Sequence, residues 1–332
     1  MRFYKNLSKQ IFSKGEYSLV PIRIIDMYNI MQWRNEQIYH LRQDKPLTQK
    51  DQDCYFKTVI SNLFEQDQPD QILFSYLKDE KCIGYGGLVH INWSNQNAEI
   101  SFLMETALEK DYFNFHWTTY LELIEIVAFE GLKLHKIFTY AYDLRPNLFI
   151  ILEKNGYYKE ATLYDHCYFD NMFKNVIIHA KRNAIIRKAN LLDAKLTYQW
   201  ANDPKVRNYS FNKQKIDWSS HLKWFKEKLL MNECLYYILF NETHIIGSIR
   251  FDIEGETAKI SYLIDSYFQG KGWGIQLLKM GIDMAKKETN LINRFEGLVM
   301  NNNIASIKIF EKMGFKKFED DSTKSKYYLS IS

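Results

Sequence analysis

The chain carries the same four landmarks twice, in the same order, about 160 residues apart. Gln32-Trp33-Arg34-Asn35 matches Gln199-Trp200-Ala201-Asn202, each within a predicted first helix. Cys82-Ile83-Gly84 matches Ile245-Ile246-Gly247, each closing a hairpin and opening a strand. Ala98-Glu99-Ile100-Ser101-Phe102-Leu103 matches Ala258-Lys259-Ile260-Ser261-Tyr262-Leu263, a strand with alternating faces. Leu152-Glu153-Lys154-Asn155-Gly156-Tyr157 matches Phe310-Glu311-Lys312-Met313-Gly314-Phe315, where a helix ends on glycine. The offset drifts from 167 to 158 residues, as small loop insertions produce. A period this long is a domain and not a solenoid unit, so the fold is restricted to two copies of one plan.

The boundary is expected at Lys181-Arg182-Asn183, between an apolar strand Val176 to Ala180 and a fresh strand Ala184 to Arg187. This gives domains 1–182 and 183–332, with no Pro- or Gly-rich linker between them. The second half reads strand, helix, helix, two or three antiparallel strands, glycine turn, helix, strand, helix, strand. Asn241-Glu242-Thr243-His244 suits one hairpin and Gly255-Glu256 the next. The fold class is α/β, a mixed and mainly antiparallel sheet flanked by helices in each half.

Charge and cysteine usage exclude several classes. A net charge of +4, with lysines interleaved among acids, lacks the dense basic stripe of a nucleic-acid binder. Cys54, Cys82, Cys167 and Cys234 form no C-x-x-C pair and have no His at metal spacing, so they read as reduced thiols and not as a metal site. Met1-Arg2-Phe3-Tyr4-Lys5 lacks a signal peptide's apolar region, and the run Leu148 to Leu152 is too short to span a bilayer. A cytoplasmic protein without a membrane partner is expected.

The densest motif is Gln269-Gly270-Lys271-Gly272-Trp273-Gly274, after a strand Lys259 to Ile264 and before an amphipathic helix running to about Lys287. Glycines at alternate positions let backbone curl close around a diphosphate, while first-turn amides and the helix dipole face the anion. A Walker A loop is excluded because Lys271 is followed by Gly272 and not Ser or Thr. A Rossmann turn is disfavoured by the antiparallel strand expected to lead in. About thirty residues on, after a strand Phe295 to Met300, stands Asn303-Ile304-Ala305-Ser306-Ile307-Lys308-Ile309-Phe310-Glu311-Lys312-Met313-Gly314-Phe315.

In these two segments the chain resembles the GNAT superfamily, which pairs a Q/R-x-x-G-x-G/A turn with a later N-x-x-S-x-x-x-F/Y-x-x-x-G-F stretch. The resemblance implies two tandem GNAT-like domains and an acyl-CoA co-substrate, with no metal. The amides from Gln269 to Gly274 would hold the pyrophosphate. The strand ending Tyr262-Leu263-Ile264 would splay from its neighbour near Glu296-Gly297-Leu298 and admit the pantetheine arm. Asn303 and Ser306 would contact that arm or the leaving sulfur. Phe310 departs from the tyrosine that many members place there to protonate the thiolate. In register with the glycine turn the first half has Asn114-Phe115-His116-Trp117-Thr118-Thr119, without glycine, and in register with Ser306 it has Leu148. Residues 1–182 are therefore expected to be a degenerate copy, with bulky side chains filling the pyrophosphate space.

Acyl transfer to an amine needs a neutral nucleophile, donors for the oxyanion and a departing thiolate. A backbone N–H near Leu263 would serve the oxyanion, and His221 or Glu296 would take the amine's proton. Arg207, Asn208 and Ser210, in the polar stretch Asn202 to Phe211, and His221 are the candidate acceptor-binding residues. That stretch, with Trp33-Arg34-Asn35-Glu36, Leu41-Arg42-Gln43 and Gly84-Tyr85-Gly86-Gly87-Leu88-Val89-His90, resembles tandem-GNAT acyltransferases acting on dTDP-3-amino-3,6-dideoxyhexoses. Their donors include acetyl-CoA and 3-hydroxybutyryl-CoA, which implies a nucleotide-linked amino sugar as partner. An N-terminal protein acetyltransferase, a non-catalytic acyl-CoA sensor and a tRNA-dependent tandem ligase stay open as alternatives. The sequence does not fix an oligomeric state.

Overall fold

In the computed structural model, which describes residues 2–169, 171–241 and 244–331, the repeat becomes two separate sheets. The chain divides into two compact units, Met1–Leu152 with Lys159–Asn183, and Glu153–Tyr158 with Ala184–Ser332.

The first unit contains strands β1 (Phe12–Lys14), β2 (Tyr17–Pro21), β3 (Ile72–Lys78), β4 (Lys81–Asn92), β5 (Asn97–Met104), β6 (Lys136–Tyr142), β7 (Tyr158–Phe169) and β8 (Met172–Arg182). They lie in the order β1-β2-β3-β4-β5-β6-β8-β7, antiparallel from β1 to β5, with β5 parallel to β6 and β6 antiparallel to β8. Its helices are α1 (Met27–Glu36), α2 (Gln49–Tyr55), α3 (Ser61–Leu63), α4 (Thr106–Glu125) and α5 (Pro146–Lys154); the last two residues of α5 and the first of β7, Tyr158, fall in the second unit.

The second unit has β9 (Ile185–Lys188), β10 (Cys234–Phe240), β11 (Ile245–Glu254), β12 (Thr257–Ile264), β13 (Arg294–Met300), β14 (Lys316–Asp320) and β15 (Lys324–Ser330). The order is β14-β15-β13-β12-β11-β10-β9, and only the β12–β13 pair is parallel. The helices are α6 (Ala194–Asn202), α7 (Pro204–Arg207), α8 (Trp218–Leu230), α9 (Trp273–Glu288) and α10 (Ile304–Lys312).

Both sheets are mixed, mainly antiparallel and flanked by helices, as the pattern of the sequence predicts. In the second unit the period of two in β12 sends Ala258, Ile260, Tyr262 and Ile264 toward the core built by α9, with Phe251, Phe295, Leu277 and Leu278. The opposite face carries a smaller core in which Phe225 of α8 meets Ala194 of α6 and Tyr236. Two faces with different partners are why the strand alternates without becoming apolar throughout.

Several local expectations shift. The last predicted strand is a hairpin of two, β14 and β15. Of the predicted turn at 241–244, Glu242 and Thr243 lie outside the described residues, while the Asn241 amide donates to His244 O at 3.0 Å. The strand leading into the glycine turn is antiparallel to β11 but parallel to β13, so β12-α9-β13 is a true parallel crossover.

The largest shift concerns the first unit. Asn114 to Thr119 do not form a turn filled with bulky side chains; they lie well inside α4. Only Glu105 separates β5 from α4, whereas Asp265 to Gly272 separate β12 from α9. The helix begins almost as soon as the strand ends, leaving no loop to bend around an anion.

Candidate active site

The glycine turn is shaped by hydrogen bonds that start where β12 stops. Trp200 Nε1 donates to Asp265 Oδ2 at 2.7 Å, and Asp265 Oδ1 accepts the Tyr267 amide at 2.8 Å. Phe268 N donates to Asp265 O, and Gln269 Nε2 reaches back to Ile264 O at 3.1 Å. Two left-handed residues then turn the chain, Gly270 at φ +74° and Gly272 at φ +82°. Gly272 is the N-cap of α9 and brings no side chain to satisfy the first-turn amides. A Cβ at Gly270 would meet open space, but one at Gly272 would collide with the Tyr158 ring of the same unit. At Gly274 a Cβ would come within 2.6 Å of Ile309 Cδ1, so the absence of a side chain lets α10 approach α9. Lys271 Nζ lies 4.2 Å from the centre of the Tyr267 ring. Trp273 is buried at the start of α9.

Beside the turn the sheet opens. β12 and β13 pair at Thr257↔Arg294, Ala258↔Phe295, Lys259↔Glu296 and Ile260↔Gly297, and there the pairing ends. β12 runs on to Ile264, still bonded to β11, and β13 runs on to Met300, still bonded to β15. Each arm is held from outside while the inner edges diverge. Along Ser261–Ile264, alternate residues therefore turn backbone N–H and C=O groups toward the opening. Leu263, the expected oxyanion donor, and Ile264 lie on this arm.

Tyr262 and the start of α10 face each other near the open end. Tyr262 Oη donates to Ser306 Oγ at 2.9 Å. Burial, opposed by that hydrogen bond, pushes the phenol up to about 12. Asn303 is the N-cap of α10, its Oδ1 accepting the Ser306 amide at 3.1 Å. Phe310 is 2% exposed and packs with Phe315, Tyr327 and Tyr262. A Cβ at Gly297 would collide with its ring, so Phe310 fills the space that this glycine leaves.

The candidate bases have different surroundings. Glu296 sits one residue before the opening, partly exposed, with Arg294 Nε 2.7 Å from its carboxylate. His221 is 4% exposed, ringed by Tyr198, Trp218, Trp224 and Phe225, with Nε2 3.2 Å from Thr197 Oγ1. Burial lowers its pKa, which favours the neutral imidazole. The structure brings Tyr262, Ser306, Asn303 and Gln269–Gly274 to one end of the opening and sets His221 in the small core between α6 and α8.

The polar stretch after α6 is braced by its own groups. Arg207 Nη2 donates to Asn212 O and Gln214 O at 2.6 and 2.9 Å, and the Asn202 side chain brackets Ile216. Ser210 Oγ donates to Val206 O, and Asn208 is exposed. Arg207 Nε is buried without a hydrogen-bond partner among the described residues. Sequence reasoning places Tyr262 only as strand backbone and misses its hydroxyl; the sole advance signal is that residue 262 shares a face with Ile260 and Ile264.

An acetyltransferase (GNAT) domain model matches residues 183–316, and a second acetyltransferase (GNAT) domain model matches residues 19–174. The chain belongs to the GNAT acetyltransferases. Its two GNAT acetyltransferase domains support an acyl-CoA-dependent N-acyltransferase. Among relatives, an uncharacterized protein of Methanocaldococcus jannaschii is 27% identical over 140 residues, which is 40% of this chain and 28% of that protein. The chain thus spans under a third of that relative's length. Acetyltransferase PseH of Campylobacter jejuni is 23% identical over 133 residues, 40% of this chain and 82% of PseH. Among solved structures, spermidine N-acetyltransferase from Vibrio cholerae in complex with CoA and spermine is similar at 16% identity and a TM-score of 0.45. That match takes in 51% of this chain and 96% of that one. Among the described residues no group of His, Cys, Asp and Glu could hold a metal ion, and no helix is long and apolar enough to cross a membrane.

Proposed function

We propose that this GNAT protein moves an acyl group, acetyl or 3-hydroxybutyryl, from acyl-CoA to the amine of a dTDP- or UDP-linked amino-deoxysugar. The product would serve bacterial surface polysaccharide synthesis, in the cytoplasm. The observation that carries the transfer reading is the parting of β12 from β13 after Ile260↔Gly297, directly beside a turn with two left-handed glycines. One feature accepts an extended amide chain by offering it strand edges; the other accepts a pyrophosphate by offering uncapped amides.

The residues divide the work by position. Backbone from Gln269 to Gly274 holds the pyrophosphate, with Lys271 adding charge. The inner edge at Tyr262, Leu263 and Ile264 holds the pantetheine, and an N–H of this arm receives the oxyanion. Asn303 fixes the start of α10 and so places Ser306. Glu296 is the better candidate base, because it is partly exposed on the strand that borders the opening. His221 is enclosed by four aromatic rings and holds α8 against α6. A sugar amine is less basic than a lysine amine, so a weak base or a water suffices to take its proton. Asn208, exposed on the braced loop, and the neighbouring Arg207 and Ser210 are the candidates to meet the nucleotide sugar. Support for the sugar comes from the resemblance of this loop and of the first half to the dTDP-amino-sugar acyltransferases.

The test is release of free CoA from acetyl-CoA or 3-hydroxybutyryl-CoA in the presence of UDP- and dTDP-linked amino sugars, with an N-terminal peptide alongside. Release with one amino sugar alone is expected. Release with the peptide alone would move the protein to the N-terminal acetyltransferases, and binding of CoA without release from any acceptor would make it a sensor.

A further inference from the structure

We infer that Tyr262 is a positioning residue for the departing sulfur, acting through Ser306, whose hydroxyl it turns into the opening between β12 and β13. The inference rests on the acyl-transfer reading above but not on the identity of the acceptor.

Tyr262 belongs to one arm of the opening, two residues past the last β12–β13 pair. Ser306 belongs to α10, which follows the other arm after the turn Asn301 to Asn303. Their hydrogen bond, 2.9 Å long, therefore spans the end of the cleft. The phenol stays protonated, burial lifting it to about 12, and in the structure it donates to Ser306 Oγ. Ser306 Oγ is the acceptor, its backbone N–H is committed to Asn303 Oδ1, and its own hydroxyl proton meets no acceptor among the described residues. A hydroxyl with one lone pair occupied and its proton unspent is oriented and polarised as a donor.

The first unit supplies a contrast within the same molecule. By the repeat register, Phe102 stands for Tyr262 and Leu148 for Ser306. Phe102 stacks on Tyr120 at 3.8 Å and Leu148 is buried, so both hydroxyls are missing together where the glycine turn is missing too. Packing needs only the ring; the hydroxyl pair goes with the turn.

In the reaction the amine nitrogen bonds to the thioester carbon, the C–S bond breaks and its electron pair goes to sulfur. Ser306 donates a hydrogen bond to that sulfur as charge develops, with Tyr262 donating to Ser306 behind it. Neither residue gives up its proton. The proton lost by the amine leaves through the base, and the thiolate takes one from solvent on release.

Bound CoA itself reads this out, with no acceptor required. The ultraviolet thiolate absorbance of CoA bound to wild type, Tyr262→Phe, Ser306→Ala and the double variant would be titrated. Thiol pKa should rise by about one unit in each variant and no further in the double, as expected of one coupled chain. The kcat for thioester cleavage, with amine or with water, should fall about tenfold in Tyr262→Phe and more in Ser306→Ala, with CoA affinity within twofold of wild type. Unchanged thiol pKa and kcat in Tyr262→Phe would reduce the bond to packing and overturn the inference. Altered thiol pKa without turnover of any amino sugar would leave the inference standing and remove the proposed acceptor. A protein that binds no CoA would overturn both.

Discussion

The two units meet the same problem, a strand that must hand over to a helix, and solve it oppositely. In the first, β5 passes through Glu105 alone into α4. In the second, β12 passes through Asp265 to Gly272, with two left-handed glycines and a cap that has no side chain, into α9. The inner strands part in both units, since β5 and β6 pair only at Asn97↔Lys136, Ala98↔Ile137 and Glu99↔Phe138. An opened sheet is thus a property of the plan, common to both copies. What differs is the ring of groups around the opening: a glycine turn and a helix start without a capping side chain in one copy, continuous helix and stacked rings in the other. A fold can keep an opened sheet while changing the backbone that follows the parting strand.

The largest expected effect breaks the comparison at its sharpest point. Gly272→Trp adds a side chain at φ +82°, against the Tyr158 ring and across the turn. CoA affinity should fall at least about a hundredfold, because the anion site consists of backbone that must be approached closely. Calorimetric titration with CoA measures it. Residual binding near wild-type strength would mean that the first unit holds a CoA site of its own, and the contrast drawn above would collapse.

A second experiment exchanges a packing solution between the units. Gly297 and Phe310 of the second unit correspond to Thr139 and Leu152 of the first, and Phe310, Thr139 and Leu152 are all buried. A small residue on the strand faces a large one on the helix in one copy, and the corresponding residues of the other are of intermediate size. Gly297→Thr alone should destabilise the second unit by about 1–3 kcal/mol through overpacking against Phe310. Adding Phe310→Leu should recover a good part of that loss. Thermal or denaturant unfolding of the single and double variants checks it. Simple additivity would show that the two halves do not share a core plan at this contact.

Much of this was legible in the sequence wherever backbone chemistry forces a residue type. Gly156 and Gly314 end their helices at φ +85° and +84°, so the matched Asn155-Gly156-Tyr157 and Met313-Gly314-Phe315 segments mark equivalent places. The alternation of Ala258 to Leu263 fixed a strand and its faces. The glycine turn was legible because only glycine is cheap at two left-handed positions a single residue apart. The rest depended on contacts that sequence spacing does not carry. Tyr262 and Ser306 lie 44 residues apart and meet only because α10 returns over the end of β12. The enclosure of His221 comes from Tyr198 on a separate helix and from three aromatic residues of its own helix, whose direction the pattern left open. The lost loop of the first unit was misjudged because register counted from the flanking motifs assumes equal loop length, and helix α4 had absorbed the difference.

The smallest effect tests whether the helix that follows the parting strand is anchored differently in the two units. In the second, Asn303 caps α10 with a neutral amide. In the first, the corresponding Arg145 is followed by Pro146, which needs no cap for its missing N–H, and the guanidinium is free to pair with Glu109 and lie against His40. Burial first, and the Arg145 charge second, push His40 down to about 3. Both ring nitrogens lie 3.2 Å from Arg145 Nη1, with Gln37 at 3.4 Å and Glu109 at 4.0 Å. The sign follows from proton counting. Between pH 6.5 and 3 the unfolded chain binds the proton that folded His40 refuses, so stability is full above about 6.5 and is lost as pH falls. His221 shifts the same way by burial, with no cation among the causes. The first unit should therefore weaken more, by about 1 kcal/mol between pH 7 and pH 5 after allowance for partial exposure. Amide exchange in α4 and α5, set against α9 and α10, would show it, and His40→Gln should remove most of the difference. If both units lose protection equally, or the variant keeps the wild-type pH slope, then Arg145 anchors α5 without making it acid-sensitive, and the two anchors are equivalent in kind.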